Sequence, residues 1–184
     1  SSSNNDAGNG AVFNGGGSSS GDYVLNISLE QNLLEREGNN SFNTAQFVSR
    51  NEFNVAQDNF IADSTSNLSL SIEGDISSRT DVDFFNVFLS RGEKIFADID
   101  FGQGFGDSVD AQLFVFNPFG ASVARNDDAS TGLGAGGSRS RLDSFVSFEA
   151  TTSGNHRIAV SSFNNDPRSG TFFNGRGFSD GDYL

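Results

Sequence analysis

The sequence predicts an all-β fold, an antiparallel β-sandwich of jelly-roll-like type, on two observations. Short runs alternate apolar and polar residues with a period of two, and Gly, Asn, Asp and Pro clusters separate these runs every ten to twenty residues. Many short strands punctuated in this way are the pattern of sandwiches and jelly rolls. Taken in order, Tyr23, Leu25, Ile27 and Leu29 alternate with polar neighbours and predict a first strand. Phe42 to Arg50, with Ala45 and Phe47 beside Asn and Gln, predicts a short helix. Leu68 to Ile72 alternates and ends at Gly74-Asp75. Phe84 to Leu89 is a denser apolar run, closed by the turn Arg91-Gly92-Glu93. Ile95, Ala97 and Ile99 share one face of the next strand. Leu113 to Phe116 ends at the turn Asn117-Pro118-Phe119-Gly120, and Phe145 to Phe148 and Arg157 to Val160 complete the set. The stretches 101–110, 125–141 and 161–181 read as long Gly/Ser/Asp-rich loops, a kind that tends to be functional or organised by a ligand.

Composition narrows the function. The chain has 184 residues, enough for one domain with a real core, and a net charge of −13 from 24 acidic and 11 basic residues. Such a surface repels nucleic acid and anionic lipid. The acid excess is either solubilising or neutralised by bound cations such as Ca²⁺. With no Cys, disulfides and thiolate metal sites are excluded. No apolar run approaches the ~20 residues that a membrane-spanning helix needs, so membrane insertion is not expected. The basic and apolar regions of a signal peptide are not found at the N-terminus, which predicts an internal or processed piece whose targeting information lies elsewhere. Few Lys, no Cys and abundant Asn, Asp, Gly and Ser point to a bacterial extracellular or cell-surface protein.

The two ends of the chain match. Residues 1–24 align without a gap to residues 161–184 at an offset of 160, with 14 of 24 positions identical. Asp6 falls on Asp166, Phe13 on Phe173, and Gly21-Asp22-Tyr23 on Gly181-Asp182-Tyr183. The period is too long for a solenoid, so each repeat is expected to be a domain with its own core. Residues 1–30 then form the tail and last strand of a preceding repeat, and 31–184 a sandwich without its own final strand. The strand Tyr23 to Leu29 is a candidate donor strand for a neighbouring copy.

Ca²⁺ takes six to eight oxygen ligands from carboxylates, amide carbonyls and backbone. Glu35, Glu37, Asn39 and Asn40 offer four such side chains within six residues, and Asp81 and Asp83 adjoin an apolar strand that anchors them. Asp107, Asp110, Asn126, Asp127, Asp128 and Asp143 make a candidate second set around Gly-rich loops. Asn164-Asn165-Asp166 is a third acidic-amide run, although such runs more often serve as turns. Gly132 to Gly137 contains G-x-G-x-x-G, but no helix pattern follows it, so it reads as a loop. Asp98-Ile99-Asp100 faintly suggests an EF-hand loop without its terminal Glu. A catalytic triad would need His156, the sole His, which stands in an alternating strand and reads as a packed residue. A glycosidase carboxylate pair is compatible with the composition, yet nearly every Asp lies in a turn. The Phe excess is core packing, with Phe101, Phe105, Phe119 and Phe178 placed in loops where they suit adhesive contacts.

The order of motifs resembles the bacterial pre-peptidase C-terminal (PPC) domain family. Glu35-Arg36-Glu37-Gly38-Asn39-Asn40-Ser41 with Ala45 is similar to the family's opening segment, and Asp81-Val82-Asp83-Phe84-Phe85 to its D-x-D-[YF]-F segment. Gly74-Asp75-Ile76, Gly92, Asp110 to Phe116, Gly120, Asn126-Asp127-Asp128, Asp143-Ser144-Phe145, Gly154 and Gly181-Asp182-Tyr183 follow in the family's order. The resemblance covers about residues 30–184. The chain departs from it at Asn155-His156-Arg157, where the family has an aromatic pair, and in a longer stretch between Ala45 and Gly74. The resemblance implies a jelly-roll-like sandwich, convergence of the opening acidic segment with Asp81 and Asp83 on Ca²⁺, and in some members binding of substrate polymers. The expected function is a non-catalytic, calcium-stabilised structural or adhesive repeat module of a surface, matrix or filament protein, partnered by neighbouring copies and by a surface polysaccharide or protein. The alternative is a binding accessory domain of a secreted hydrolase.

Overall fold

The structure, a computed structural model, describes residues 7–9, 12–13, 32–55, 57–100, 109–134 and 136–184. It divides into two compact units, Ser1–Gln31 and Asn32–Leu184. In the first, β1 (Ala7–Asn9) and β2 (Val12–Phe13) form an antiparallel hairpin. The second holds β3 (Leu33–Leu34), β4 (Gln46–Val48), β5 (Ile72–Ile76), β6 (Val82–Leu89), β7 (Lys94–Asp98), β8 (Ala111–Phe116), β9 (Ser122–Asn126), β10 (Phe145–Glu149), β11 (Gly154–Ser162), β12 (Pro167–Ser169), β13 (Phe172–Phe173) and β14 (Gly181–Tyr183). The fold is all-β, as the alternating runs predicted, and a single 3₁₀ turn, Arg50–Glu52, is the one helical element among the described residues.

One layer is a five-stranded sheet in the order β4-β6-β11-β8-β9. Facing it are the ribbon β10-β7 and the sheet β14-β5-β3. The main core lies between the layers, where Phe85, Val87 and Leu89 of β6 and Leu113 and Val115 of β8 meet Ile76, Ile99, Val146 and Tyr183. The opposite face of the large sheet is covered too. Phe84, Phe114 and Phe116 pack there under Phe42, Ala45 and Phe173, with Phe173 edge-on to Phe84 and Phe114 at 5.6 and 5.3 Å. Strands buried on both faces lose the apolar/polar alternation and read as continuous apolar runs. This explains the density of Phe84–Leu89 and of Leu113–Phe116.

Three expectations are corrected. Phe42–Arg50 is not a helix, because Gln46–Val48 forms β4, which pairs parallel with β6 and buries Val48. A buried sheet edge in need of a partner outweighs weak helix propensity. A second parallel pair, β3 with β5, stands beside the antiparallel pairs of the sandwich. The strand read at Leu68–Ile72 begins only at Ile72 and runs through Gly74-Asp75, because the chain turns at 77–80 instead. The region 161–181 also contains a hairpin, β12–β13, inside what reads as loop. The strand Tyr23, Leu25, Ile27 and Leu29 lies outside the described residues.

The two hairpins share their pairing. In the first unit Ala7 faces Phe13 and Asn9 faces Val12, and in the second Pro167 faces Phe173 and Ser169 faces Phe172. Every pair is displaced by the same 160 residues as the sequence match. The second hairpin's loop begins at Gly170, which adopts φ +56, the left-handed value a two-residue hairpin turn requires there, and the sequence match sets Gly10 on Gly170.

Candidate metal centre

The acidic segment after β3 lies over the start of β6. Glu35 N–H donates to the Glu73 carbonyl at 2.8 Å, which extends the β3–β5 pairing and places Glu35 beside Gly74. Gly74 in turn faces Tyr183 across β14, and its hydrogen leaves room for the phenol ring, which a Cβ would overlap. Tyr183 then donates its hydroxyl to Asp83 Oδ2 at 2.8 Å. On the other side, the Asn39 carbonyl accepts from Phe84 N–H at 3.2 Å, and Asn40 Nδ2 donates to Asp81 Oδ1 at 2.7 Å. Five of the six residues of the first predicted set are thus tied by backbone or side chain to one end of the sandwich. The sixth, Glu37, is exposed but close enough to act on the charges of Glu35 and Asp83.

Their roles differ. Asp81 organises the turn before β6: its Oδ2 accepts from Ser77 N–H and Oγ–H at 2.9 and 2.6 Å, and its Oδ1 from Asn40 and Val82 N–H. Asp83 is fully buried, on the face of β6 that also carries Phe85 and Val87. One of its oxygens has the Tyr183 hydroxyl, while Oδ1 has no hydrogen-bond partner. Glu35 Oε1 and both polar atoms of the Asn39 amide, Oδ1 and Nδ2, are likewise buried without a partner. Leaving such groups unsatisfied costs on the order of 1–3 kcal/mol each, and more for a charge.

The electrostatics follow. Burial pushes the Asp83 carboxyl up to about 8; the Tyr183 hydrogen bond opposes this, and the charges of Glu35, Asp81 and Glu37 add to it. Glu35 rises to about 7 through burial and then through Glu37, Asp81 and Asp75, with the Asn39 amide pulling the other way. Near neutral pH these two groups therefore favour taking up a proton or a cation. All donors here are hard oxygens, two from carboxylates and one from an amide, which suits Ca²⁺ rather than a soft metal. Among the described residues no three His, Cys, Asp or Glu side chains stand where one ion would touch them all. A cation here would need Asn39 as well as Glu35 and Asp83.

The second predicted set is tied in part by Ser144, whose hydroxyl donates to the Ala111 and Asp127 carbonyls at 2.6 and 2.8 Å. The charges of Asp128 and Asp127 act on Asp110, which burial lifts to about 6. Asn126 instead spends its Oδ1 on Phe145 N–H, and Asp143 lies at the end of the β7–β10 ribbon. Asp107 lies outside the described residues. In the Asn164-Asn165-Asp166 run, Asn165 is fully buried, donates Nδ2 to the Asp81 carbonyl at 3.1 Å and accepts from Gly175 N–H at 2.7 Å. It fastens the β12–β13 segment to the start of β6, a turn-and-brace role. His156 is buried against Phe148, with Nδ1 3.0 Å from the Gly154 carbonyl. Gly132–Gly137 lies in the connection between β9 and β10, with no helix after it. Sequence reasoning missed Tyr183 as the Asp83 partner; the repeated Gly-Asp-Tyr was the available signal.

The chain matches no protein-family model and no curated protein.

Proposed function

We propose that this chain is a non-catalytic, calcium-stabilised structural or adhesive repeat module of a bacterial extracellular surface, matrix or filament protein, related to the PPC domains it resembles. The observation that carries the calcium reading is the trio of buried oxygens without partners, Glu35 Oε1, Asn39 Oδ1 and Asp83 Oδ1, at one end of the sandwich. Ca²⁺ supplies positive charge to the Glu35 and Asp83 carboxylates and clamps the acidic segment to β6 and β14. The repeat reading rests on the 160-residue match of the ends and on two hairpins in one shared register. In an array, the segment Tyr23 to Leu29 serves as a strand for a neighbouring copy, a form of β-strand addition. Exposed aromatic side chains, Phe119, Phe172 and Phe178, suit contacts with a surface polysaccharide or protein, which also serves the alternative of a binding domain beside a secreted hydrolase.

Thermal melting in calcium and in EDTA tests the calcium reading. At free calcium a hundredfold above Kd, binding to the folded state alone stabilises by about 2.7 kcal/mol, a shift of several degrees. Asp83→Asn should remove most of that shift. An identical transition in EDTA and in calcium would sink the proposal.

A further inference from the structure

A second group of carboxylates is assembled by the β7–β10 ribbon rather than by any sequence motif. Asp98 pairs with Phe145, and Ile99 N–H donates to the Ser144 carbonyl at 2.8 Å, so the register places Asp100 across from Asp143. Ile95, Ala97 and Ile99 turn to the core. The period of two therefore sends Asp98 and Asp100 to the other face, together with Asp143. That face is not open: Asp100 is 5 % exposed and Asp143 1 %.

The cover includes Gly134, Gly137 and Ser138. A Cβ at Gly134, whose φ is +87, would collide with the Asp98 carboxylate, and one at Gly137 with the Asp100 carboxylate. Ser138 Oγ reaches Asp100 Oδ1 at 3.4 Å, and the Arg139 and Ser140 N–H groups hold Asp143 Oδ2 at 2.7 and 3.1 Å. Gly134 is itself held by Ala62 N–H at 2.7 Å, which ties a second long loop to the same place. Two oxygens remain buried without a partner, Asp98 Oδ2 and Asp143 Oδ1. Burial lifts Asp98 to about 6, with Asp143 adding to it, and Asp100 to about 7, with Asp98, Asp143 and Asp58 adding to it. The exposed Arg139 acts on Asp143 and brings one positive charge against three carboxylates.

We infer that Asp98, Asp100 and Asp143 are the ligands of a further divalent cation, calcium by its all-oxygen donors, beneath Gly134, Gly137 and Ser138. The glycines admit close approach of backbone to the carboxylates, the oxygens without partners are ligands, and the ion fastens Gly134, with the Ala62 loop it holds, and residues 137–143 to the ribbon. Ligation by all three carboxylates includes a side-chain rearrangement, since they do not already surround one point. This site stands independently of the one at Asp83.

Calorimetric titration of metal-stripped full-length chain with Ca²⁺ tests it. Asp98→Asn and Asp143→Asn should each bind one ion fewer than the parent chain. Tyrosine-sensitised terbium emission, lost in Tyr183→Phe, should persist in both, because it reports the other site. In EDTA the two Asn variants should melt at or above the parent, since each removes a repelling charge, and in calcium below it. Unchanged stoichiometry in both variants overturns the site. A destabilisation equal in EDTA and in calcium also overturns it, by making the carboxylates hydrogen-bonding structural groups only. Asp83→Asn separates the two readings: if it leaves stoichiometry intact while Asp98→Asn lowers it, the Asp83 site fails and this one stands.

Discussion

Tyr183 gives Asp83 the one hydrogen bond found for its carboxylate, and it does so from the far layer of the sandwich. Tyr183→Phe keeps the ring and removes the donor, so it should cost about 1–3 kcal/mol in chemical denaturation. A cost near zero would mean that this hydrogen bond adds nothing to stability. The pH dependence has a definite sign. Asp83 and Glu35 have folded values of about 8 and 7, above the ordinary 3.8 and 4.5. The folded state therefore binds more protons than the unfolded chain between pH 4 and 8, and without calcium its stability is full below that window and declines as pH rises through it. Calcium replaces those protons. Melting curves at pH 5 and pH 8 should show a small calcium shift at the lower pH and a large one at the higher. Equal shifts would dissociate these two carboxyls from the metal.

The strands carry a second kind of constraint. In β5, Gly74 is the residue against which Tyr183 lies, and it was legible only as a turn signal. Gly is unfavourable in strands, so its presence there marks a close approach. Gly74→Ala improves strand propensity yet drives a methyl group into the phenol ring. It should destabilise by about 1–3 kcal/mol, the usual cost of overpacking, and reduce the calcium shift with it. A more stable Gly74→Ala variant, measured by urea denaturation, would show that the ring is free to move aside. The paired runs at β6 and β8 were readable because both faces are buried. By contrast β4 was hidden: Gln46-Phe47-Val48 leaves Phe47 exposed and buries Val48, and three residues are too few to reveal a period.

For the whole molecule, the repeat predicts that unit Asn32–Leu184, which owns both core clusters, folds without the first unit. Removing residues 1–31 should leave a soluble, cooperatively melting monomer of lowered stability. A peptide spanning residues 21–31 should raise its melting temperature if this segment acts as a donated strand. Assembly unaltered by the truncation would remove strand exchange from the account. Two linked copies should melt higher than one for the same reason.

The fold class, six strands (β5 to β8, β10 and β11) and the repeat followed from the sequence, because period-two patterning and turn residues are local properties of the chain. The first acidic set was readable as a group since four of its members lie within six residues and the other two adjoin a strand. Which carboxylates share a place was not readable elsewhere. Asp143 lies 43 residues from Asp100 and 15 from Asp128, yet strand register sets it opposite Asp100 while Asp128 acts on Asp110. Tyr183 reaches Asp83 across 100 residues. Such contacts depend on which strands pair and in what register, and that is decided by burial of the two faces of the large sheet, a property of the assembled layers rather than of any one segment.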